Sequence, residues 1–401
     1  MDLKLYDKLI VKNESKIVFF ILDGLGGLEG TEGTELQVAH IPHFDKLAEQ
    51  SVCGVLDPVG PGIIPGSGPG HFAIFGYDPI ESNVGRGILS AMGVNFDLRE
   101  NDVAARVNFA TIDQEGRVVD RRAGRPSDEQ NERVCEKITK HLAAPIDNVE
   151  IFFKKEKEHR AVLILRGPNL SGDLTDTDPQ KTGVVPSPVE PLHEEARKTA
   201  NVVNDFTSQV KKILSDEEKM NMILLRGFDK YRRYPSLQER FGLKSLAIAS
   251  YPMYQGMARL LGMDVQPSSA NLNEQIEVLE KKFSDYDFFY VHLKATDAAG
   301  EDGDFQRKVK ILEEVDELLP RVTRLNPDVL VITGDHSTPS RLAAHSWHPV
   351  PALLYSRFCR ADSVKKFDEV SCIPGGLSGM PMKYLMGVAL ANAGRLAKFG
   401  A

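Results

Sequence analysis

Cysteine is scarce in this chain of 401 residues, and the four present (Cys53, Cys135, Cys359, Cys372) are scattered, with no C-x-x-C pair. That spacing offers no disulfide framework and reads as reduced, mostly structural thiols in a cytoplasmic protein. Long apolar runs are missing as well. None approaches the length of about 20 residues needed to span a bilayer, which excludes a membrane-spanning helix. A basic excess is absent too: net charge is −8, so no overall field favours nucleic acid or anionic lipid as a partner. The opening stretch MDLKLYDKLIVKNESK is polar and mixed in charge, unlike a signal peptide. Internal repeats and low-complexity segments are not found either. What remains is 42% hydrophobic and 26% charged residues, the composition of an ordinary globular protein with length enough for two domains and a large core.

Against that background one stretch stands out. In DVLVITGDHSTPS the apolar run Val329 to Ile332 lacks alternation and predicts a fully buried strand, closed by Gly334 and followed at once by Asp335 and His336. In open α/β sheets ligand chemistry collects at the carboxyl ends of strands. A carboxylate beside an imidazole at such a tip suits a divalent metal, although the same Gly-Asp-His turn could serve only to cap a strand. Recurrence favours the metal. KIVFFILDGLGG predicts a strand ending in Asp23, FFYVHLKATD one ending in Asp297, and LAAHSWHPVPALLY places His345 just ahead of another. Asp23, Asp297, Asp335, His336 and His345 together form an oxygen-and-nitrogen donor set fitting Mn²⁺, Zn²⁺ or Mg²⁺ rather than a cluster or haem.

The order of elements predicts an α/β protein with an insertion. Pro42 opens a short helix in IPHFDKLAEQS, and VGPGIIPGSGPGHFAIFGYDP reads as a Gly/Pro-rich loop feeding a helix that begins near Ser67. Free N–H groups at such a helix start favour an anion. Between about 106 and 240 the texture changes to strands in VNFATIDQEGRVVDRRAGR, NVEIFFKKEKEHRAVLILRG and MNMILLRG, with turns at 114–116 and 166–169. A helix follows the spacing of Val203, Phe206, Val210 and Ile213. Arg121, Arg122, Arg125, Arg160, Arg166 and Arg226 lie near strand ends there. Each alone fits a solvated surface charge, but as a group they suggest an anion-binding cap. From about 242 the α/β rhythm returns, ending in a helix from about Met382. Residues 1–105 and 241–401 are therefore expected to form one domain, interrupted by a cap over 106–240. With Ser67 as a metal-activated nucleophile and two cations about 4 Å apart, the assembly suits phosphoryl transfer through a phosphoserine.

The strings LDGLGG, PGSGPGHFAIFGYDP, LRGPNLSGDLTDTDP, LLRG, KATDAAG, TGDHSTPS and HSWHPVP resemble the archaeal-type, cofactor-independent phosphoglycerate mutases of the alkaline phosphatase superfamily, in order along nearly the whole chain. The resemblance implies an alkaline-phosphatase-like, mostly parallel sheet flanked by helices, with an inserted α+β substrate-binding domain. It implies interconversion of 2- and 3-phosphoglycerate in glycolysis and gluconeogenesis, with Ser67 holding the phosphoryl group while glycerate reorients, and with no free 2,3-bisphosphoglycerate. Asp23, Ser67, Asp335 and His336 correspond to the ligands of one metal, and Asp297 and His345 to ligands of the other. The family's histidine four residues after the aspartate is replaced here by Glu301, which makes that site harder and more anionic. Asp120, Arg121, Arg122 and Arg125 of DRRAGR fall where the family contacts glycerate and moves a proton. Arg160 and Arg166 are placed to hold carboxylate or phosphate, Lys294 to reach the phosphate, and His71 to orient the nucleophile loop or approach the phosphate. His292 reads as a core histidine, and Trp347 and His348 have no argued role.

Three functions follow from this reading: the mutase, a phosphatase or homoserine-kinase-like phosphotransferase of the same superfamily, and a metabolite-binding protein in which Glu301 has disabled the second metal. The expected cofactors are two divalent ions, Mn²⁺ first and Mg²⁺, Co²⁺ or Zn²⁺ after it. The expected partner is a small phosphorylated substrate, with neither nucleic acid nor membrane involved.

Overall fold

A computed structural model describes residues 2–267 and 271–400. Twelve strands are assigned among them: β1 (Ile17–Leu22), β2 (Val52–Leu56), β3 (Val103–Ile112), β4 (Val118–Asp120), β5 (Glu150–Lys155), β6 (Arg160–Arg166), β7 (Met222–Lys230), β8 (Ser245–Ala249), β9 (Asp264–Pro267), β10 (Phe288–Leu293), β11 (Val329–Thr333) and β12 (Val350–Ser356). The chain divides into two compact units, one of residues 1–83, 235–251 and 261–401, the other of 84–234 and 252–260. No helix of the described residues is long and apolar enough to cross a membrane.

The first unit is built on a seven-stranded sheet of order β2-β12-β11-β1-β10-β8-β9. Its pairings are parallel from β11 through β1, β10 and β8 to β9, and β12 runs antiparallel to both its neighbours. Every residue of β1, β10 and β11 is buried, as expected of apolar strands covered on both faces by helices. The helix Phe305–Arg324 turns Val309, Leu312, Val315, Leu319 and Val322 inward. The register sets Leu22 beside Leu293 and Ile21 beside Thr333, so the chain leaves β1, β10 and β11 at one edge of the sheet. Because β12 is antiparallel, with Ala352 opposite Thr333, the segment carrying His345 enters at that same edge.

The second unit is an antiparallel five-stranded sheet in which β3 pairs with β4, β6 and β7, and β5 pairs with β6. Alternation gives it two unlike faces. Val107, Phe109, Leu163, Leu165, Ile223 and Leu225 form a core with Val134 and Ile138 of the helix Asp128–His141 and Val203, Phe206 and Val210 of the helix Arg197–Ile213. On the alternate positions Arg106 is paired with Arg226, and Asn108 with Arg160. The unit begins at Val84, ahead of the expected 106, because the helix Arg86–Gly93 is tied into it. Gly85 N–H donates to Asp229 of β7 (2.7 Å), and Arg259 donates to the Met92 and Gly93 carbonyls (3.0 Å each). That last contact also brings 252–260 into this unit, although the segment follows the expected boundary at 240.

Candidate metal centre

Asp23 follows the last residue of β1, and its own N–H donates to Leu293 O (3.0 Å). The chain then turns at Gly24, whose φ of +63° suits glycine. A Cβ there would lie 2.6 Å from Thr338 Oγ1 and 2.7 Å from Asp297 Oδ1, so no larger residue fits between the loops. Gly24 N–H donates to Asp335 Oδ1 (3.2 Å), tying the β1 loop to the β11 loop. Asp297 is not at a strand tip as the sequence suggested: after β10 the chain enters the helix Ala295–Glu301, and Asp297 lies in its first turn. Its carboxylate is nevertheless carried to the same place, where Thr338 Oγ1 donates to Asp297 Oδ1 (2.6 Å).

Ser67 is the first residue of the helix Ser67–Ile74, whose cap position is Gly66 and whose first turn receives no side-chain cap. Gly70 lets that helix press on the β11 loop, since a Cβ would meet Asp335 O at 2.2 Å. His71 stabilises the contact from one turn on, with Nδ1 2.8 Å from Ser67 O and 3.2 Å from Asp335 Oδ2.

These residues meet around one imidazole. His336 Nε2 lies 3.2 Å from Asp23 Oδ1, 3.3 Å from Asp335 Oδ2 and 3.3 Å from Ser67 Oγ. Its Nδ1 faces Thr338 Oγ1 at 2.9 Å. Because the Thr338 hydroxyl has a single proton, directed at Asp297, its oxygen accepts from Nδ1–H. That leaves Nε2 of His336 as the ring atom facing the Asp23–Asp335–Ser67 group. Beside it, His345 stacks on His336 (centroids 3.7 Å apart), with Nε2 3.6 Å from Asp297 Oδ1. His345 Nδ1 lies 2.9 Å from Pro65 O, a carbonyl, so Nδ1–H donates and Nε2 is left for a ligand. Glu301 Oε1 is 3.8 Å from His345 Nε2 on a half-exposed side chain.

Asp23, Asp297 and Asp335 have no exposed surface. Burial alone would raise the pKa values of Asp23 and Asp335, yet Lys294, His292 and His336 hold Asp23 well below its ordinary range. For Asp335, His336 and His71 overcome both burial and repulsion from Asp23, again lowering it. Burial opposes the charge of His336, but Asp335, Asp23 and Asp297 outweigh it and push the imidazole up to about 9. Lys294 bridges Asp23 Oδ2 (3.2 Å) and Asp297, and those carboxylates overcome its burial to raise its pKa far above the ordinary lysine value. Asp23, Asp335 and His336 form one group whose ligand atoms all lie within 4.8 Å of one another, and Asp297, His336 and His345 form another. Three buried carboxylates with imidazoles turned toward them fit divalent cations of hard or borderline character.

Three residues at this centre escaped the sequence reading. His292, taken for a core histidine, is buried in β10 but has Nε2 3.3 Å from Asp23 Oδ2. Thr338, two residues past His336, and Lys308, on the helix Phe305–Arg324, have no part in the sequence reading. Trp347 is half exposed and stacks on His348, which contacts Ser346 Oγ (3.0 Å).

The cap residues belong to the second unit. Asp120 accepts from the Arg122 and Gly124 N–H groups (2.8 and 2.6 Å) and so shapes the loop bearing Arg125, whose φ is +53°. Arg121 grips Asp178 with two bonds (3.0 and 2.7 Å). Arg166 does the same to Asp102 (2.9 and 2.7 Å) and lies over Phe96 and Phe152, so its fork is filled. Arg160 and Arg226 share a face with Arg106, which the sequence reading passed over. Burial, reinforced by Arg86, Arg160 and Arg226, pulls the Arg106 pKa down to about 10. That sheet face is a concentration of positive charge.

A probable 2,3-bisphosphoglycerate-independent phosphoglycerate mutase of Thermus thermophilus is 50% identical over 399 residues, covering 98% of both chains. One from a Thermotoga species is 48% identical over 395 residues, again 98% of each. The chain belongs to this mutase family. The family model for 2,3-bisphosphoglycerate-independent phosphoglycerate mutase matches residues 48–220. Two solved structures are similar over their full length: a Pyrococcus horikoshii protein (TM-score 0.83, 27% identity, 97% of this chain) and the cofactor-independent phosphoglycerate mutase of Thermoplasma acidophilum (TM-score 0.68, 29% identity, 94% of this chain). As the family's name states, free 2,3-bisphosphoglycerate is not its cofactor. The mutase resemblance seen in LDGLGG and TGDHSTPS thus extends through the whole chain.

Proposed function

We propose that this chain interconverts 2- and 3-phosphoglycerate by moving the phosphoryl group through Ser67. The observation that carries the proposal is the convergence of Ser67 Oγ, Asp23 and Asp335 on one nitrogen, His336 Nε2, at 3.2 to 3.3 Å. A hydroxyl placed among carboxylates and an imidazole, at the start of a helix, is set for attack on an anionic phosphorus centre. Two divalent cations held by Asp23, Ser67, Asp335 and His336 and by Asp297, His345 and Glu301 (Mn²⁺ preferred; Mg²⁺, Co²⁺ or Zn²⁺ as alternatives) would lower the Ser67 hydroxyl pKa and neutralise phosphoryl oxygens.

The chain's own groups then act as follows. Ser67 Oγ loses its proton and bonds to phosphorus, while the bond from phosphorus to the glycerate oxygen breaks and that oxygen is protonated. Glycerate turns, its other hydroxyl loses a proton and bonds to phosphorus, and Ser67 Oγ leaves and recovers its proton. Lys294 reaches the phosphate, and His71 holds the nucleophile helix against Asp335. Among the second unit's residues we assign proton movement at glycerate to Asp120 with Arg122, and recognition of its negative groups to Arg125 and Arg160. Arg121 and Arg166, already filled by Asp178 and Asp102, contribute by stiffening that unit. The four cysteines are free thiols, which fits a cytoplasmic setting.

The test is a coupled assay of 3-phosphoglycerate to 2-phosphoglycerate on metal-stripped protein refilled with Mn²⁺, with free phosphate followed in parallel. Turnover without phosphate release is the expected result. Phosphate release alone would make it a phosphatase. No turnover with any of the four metals would point to another phosphorylated substrate or to a binding protein.

A further inference from the structure

Lys308 has no exposed surface. A buried ammonium is tolerated only where its three N–H groups and its charge are matched. Here the match is complete: Nζ donates to Gly24 O (2.9 Å), Gly26 O (3.2 Å) and Thr338 O (2.9 Å), with Glu35 Oε1 at 4.0 Å as the nearby negative charge. Those acceptors are backbone groups of the two loops that carry the ligands. Gly24 follows Asp23 and donates its own N–H to Asp335; Thr338 follows His336 by two residues and holds both His336 Nδ1 and Asp297 Oδ1 with its hydroxyl. Thr338 N–H also contacts the Gly24 and Gly26 carbonyls (3.3 and 3.1 Å), so the ammonium closes a seam already begun by the backbone.

We infer that Lys308 is a positioning residue for the cation site. From the dry side it clamps the β1 and β11 loops together, and through Thr338 it fixes the His336 tautomer and the direction of Asp297. The inference rests on the metal-centre reading above, and it concerns groups that touch neither cation nor substrate. Partners one bond removed from metal ligands typically govern affinity by about 10- to 100-fold.

The experiment measures Mn²⁺ binding directly, by calorimetry and by the spin-resonance signal of free Mn²⁺, on wild type, Lys308→Met and Thr338→Val. Visible spectra after Co²⁺ loading report ligand geometry. Thermal midpoints in excess chelator give the metal-free stability of each protein. Wild type is expected to bind Mn²⁺. Both variants are expected to bind it at least about tenfold more weakly and to show altered Co²⁺ bands. Folded Lys308→Met with wild-type affinity and spectrum, whatever its thermal midpoint, would reduce Lys308 to a structural role and overturn the inference. Should Lys308→Met not fold, Thr338→Val decides: unchanged affinity and bands there overturn it equally. Failure of wild type itself to bind Mn²⁺ would instead refute the metal-centre reading.

Discussion

In the metal-free protein a proton occupies the position that a cation would take. His336 Nδ1–H is committed to Thr338, so a second proton resides on Nε2, facing Asp23 Oδ1 at 3.2 Å and Asp335 Oδ2 at 3.3 Å. Those carboxylates overcome the burial of the ring and raise its pKa to about 9. Cation binding through Nε2 must therefore expel that proton. At pH 7, about two units below the raised pKa, the expulsion costs about 3 kcal/mol. The sign follows from linkage: a metal that binds only the neutral ring binds more tightly as pH rises, until the metal-free ring itself loses its proton. Affinity for Mn²⁺ is expected to rise about tenfold per pH unit between pH 7 and 8.5 and to flatten above about 9. Asp23 and Asp335, held low, are already ionised in this window and contribute no slope. Calorimetry at pH 7 in two buffers of different ionisation enthalpy counts the protons directly. One proton released per cation at this site is the expected result. A pH-independent affinity with no proton released would show that His336 is not held charged by its neighbours and rests instead as the neutral Nδ1–H ring.

Further outcomes are expected elsewhere in the molecule. Ser67→Ala should keep its circular dichroism and lose turnover by at least about 10⁴-fold, the scale seen when an essential nucleophile is removed; near-normal turnover would rule out a phosphoserine route. Glu301→His should shift activity toward Zn²⁺ and Co²⁺ by offering a softer donor beside His345, and identical profiles across Mn²⁺, Mg²⁺, Co²⁺ and Zn²⁺ would remove Glu301 from the ligand set. Arg166→Leu strips the partner from Asp102, which is 2% exposed, and should lower stability by about 3 kcal/mol in urea unfolding; an unchanged midpoint would show the pair to be inert. His159, buried and surrounded by Arg160, Arg122, Arg106 and Arg125, has its pKa lowered to about 4. The unfolded chain thus takes up this proton first, and stability should decline by up to about 3 kcal/mol as pH falls from about 6.5 to 4. His159→Gln should flatten that decline, and an equally steep loss in the variant would assign it to other groups.

How far the site could be read from sequence depended on whether a residue's neighbours in the chain betray its surroundings. Asp23, Asp335 and His336 were legible because each lies within four residues of the end of a continuous apolar run, and such a run predicts a buried strand with its end at the sheet edge. Asp297 was read as a ligand, but its element was misjudged: four residues past the end of β10 there is room for a helical turn, which periodicity over so short a stretch does not reveal. Lys308 could not be found, since FQRKVKIL is an ordinary amphipathic pattern and the burial of that one lysine arises only when two distant loops fold over it. His292 sits in an apolar strand, and nothing local separates a core histidine from one aimed at a carboxylate. Some signal was present and went unread. Ser127 with Gln130 forms a capping box opening the helix Asp128–His141, and the spacing of Val134 and Ile138 continues it. Arg106, alternating with Val107 and Asn108, carries no mark of the charged face it joins.

The position of β1 bears on how such a chain is made. It lies between β10 and β11, pairing Ile17 with Phe288 on one side and with Val329 on the other. A nascent chain therefore carries the apolar segment IVFFIL with neither hydrogen-bonding neighbour until most of its residues have left the ribosome. The second unit, apart from 252–260, is complete by Tyr234 and can collapse earlier. Such distant pairing slows folding and leaves a sticky edge exposed in the meantime. Asp23 reaches His336 only when that wait ends, so a chain truncated before β11 can be partly compact yet lacks two members of the Asp23–Asp335–His336 group. That completed group is thus a late marker of a finished molecule.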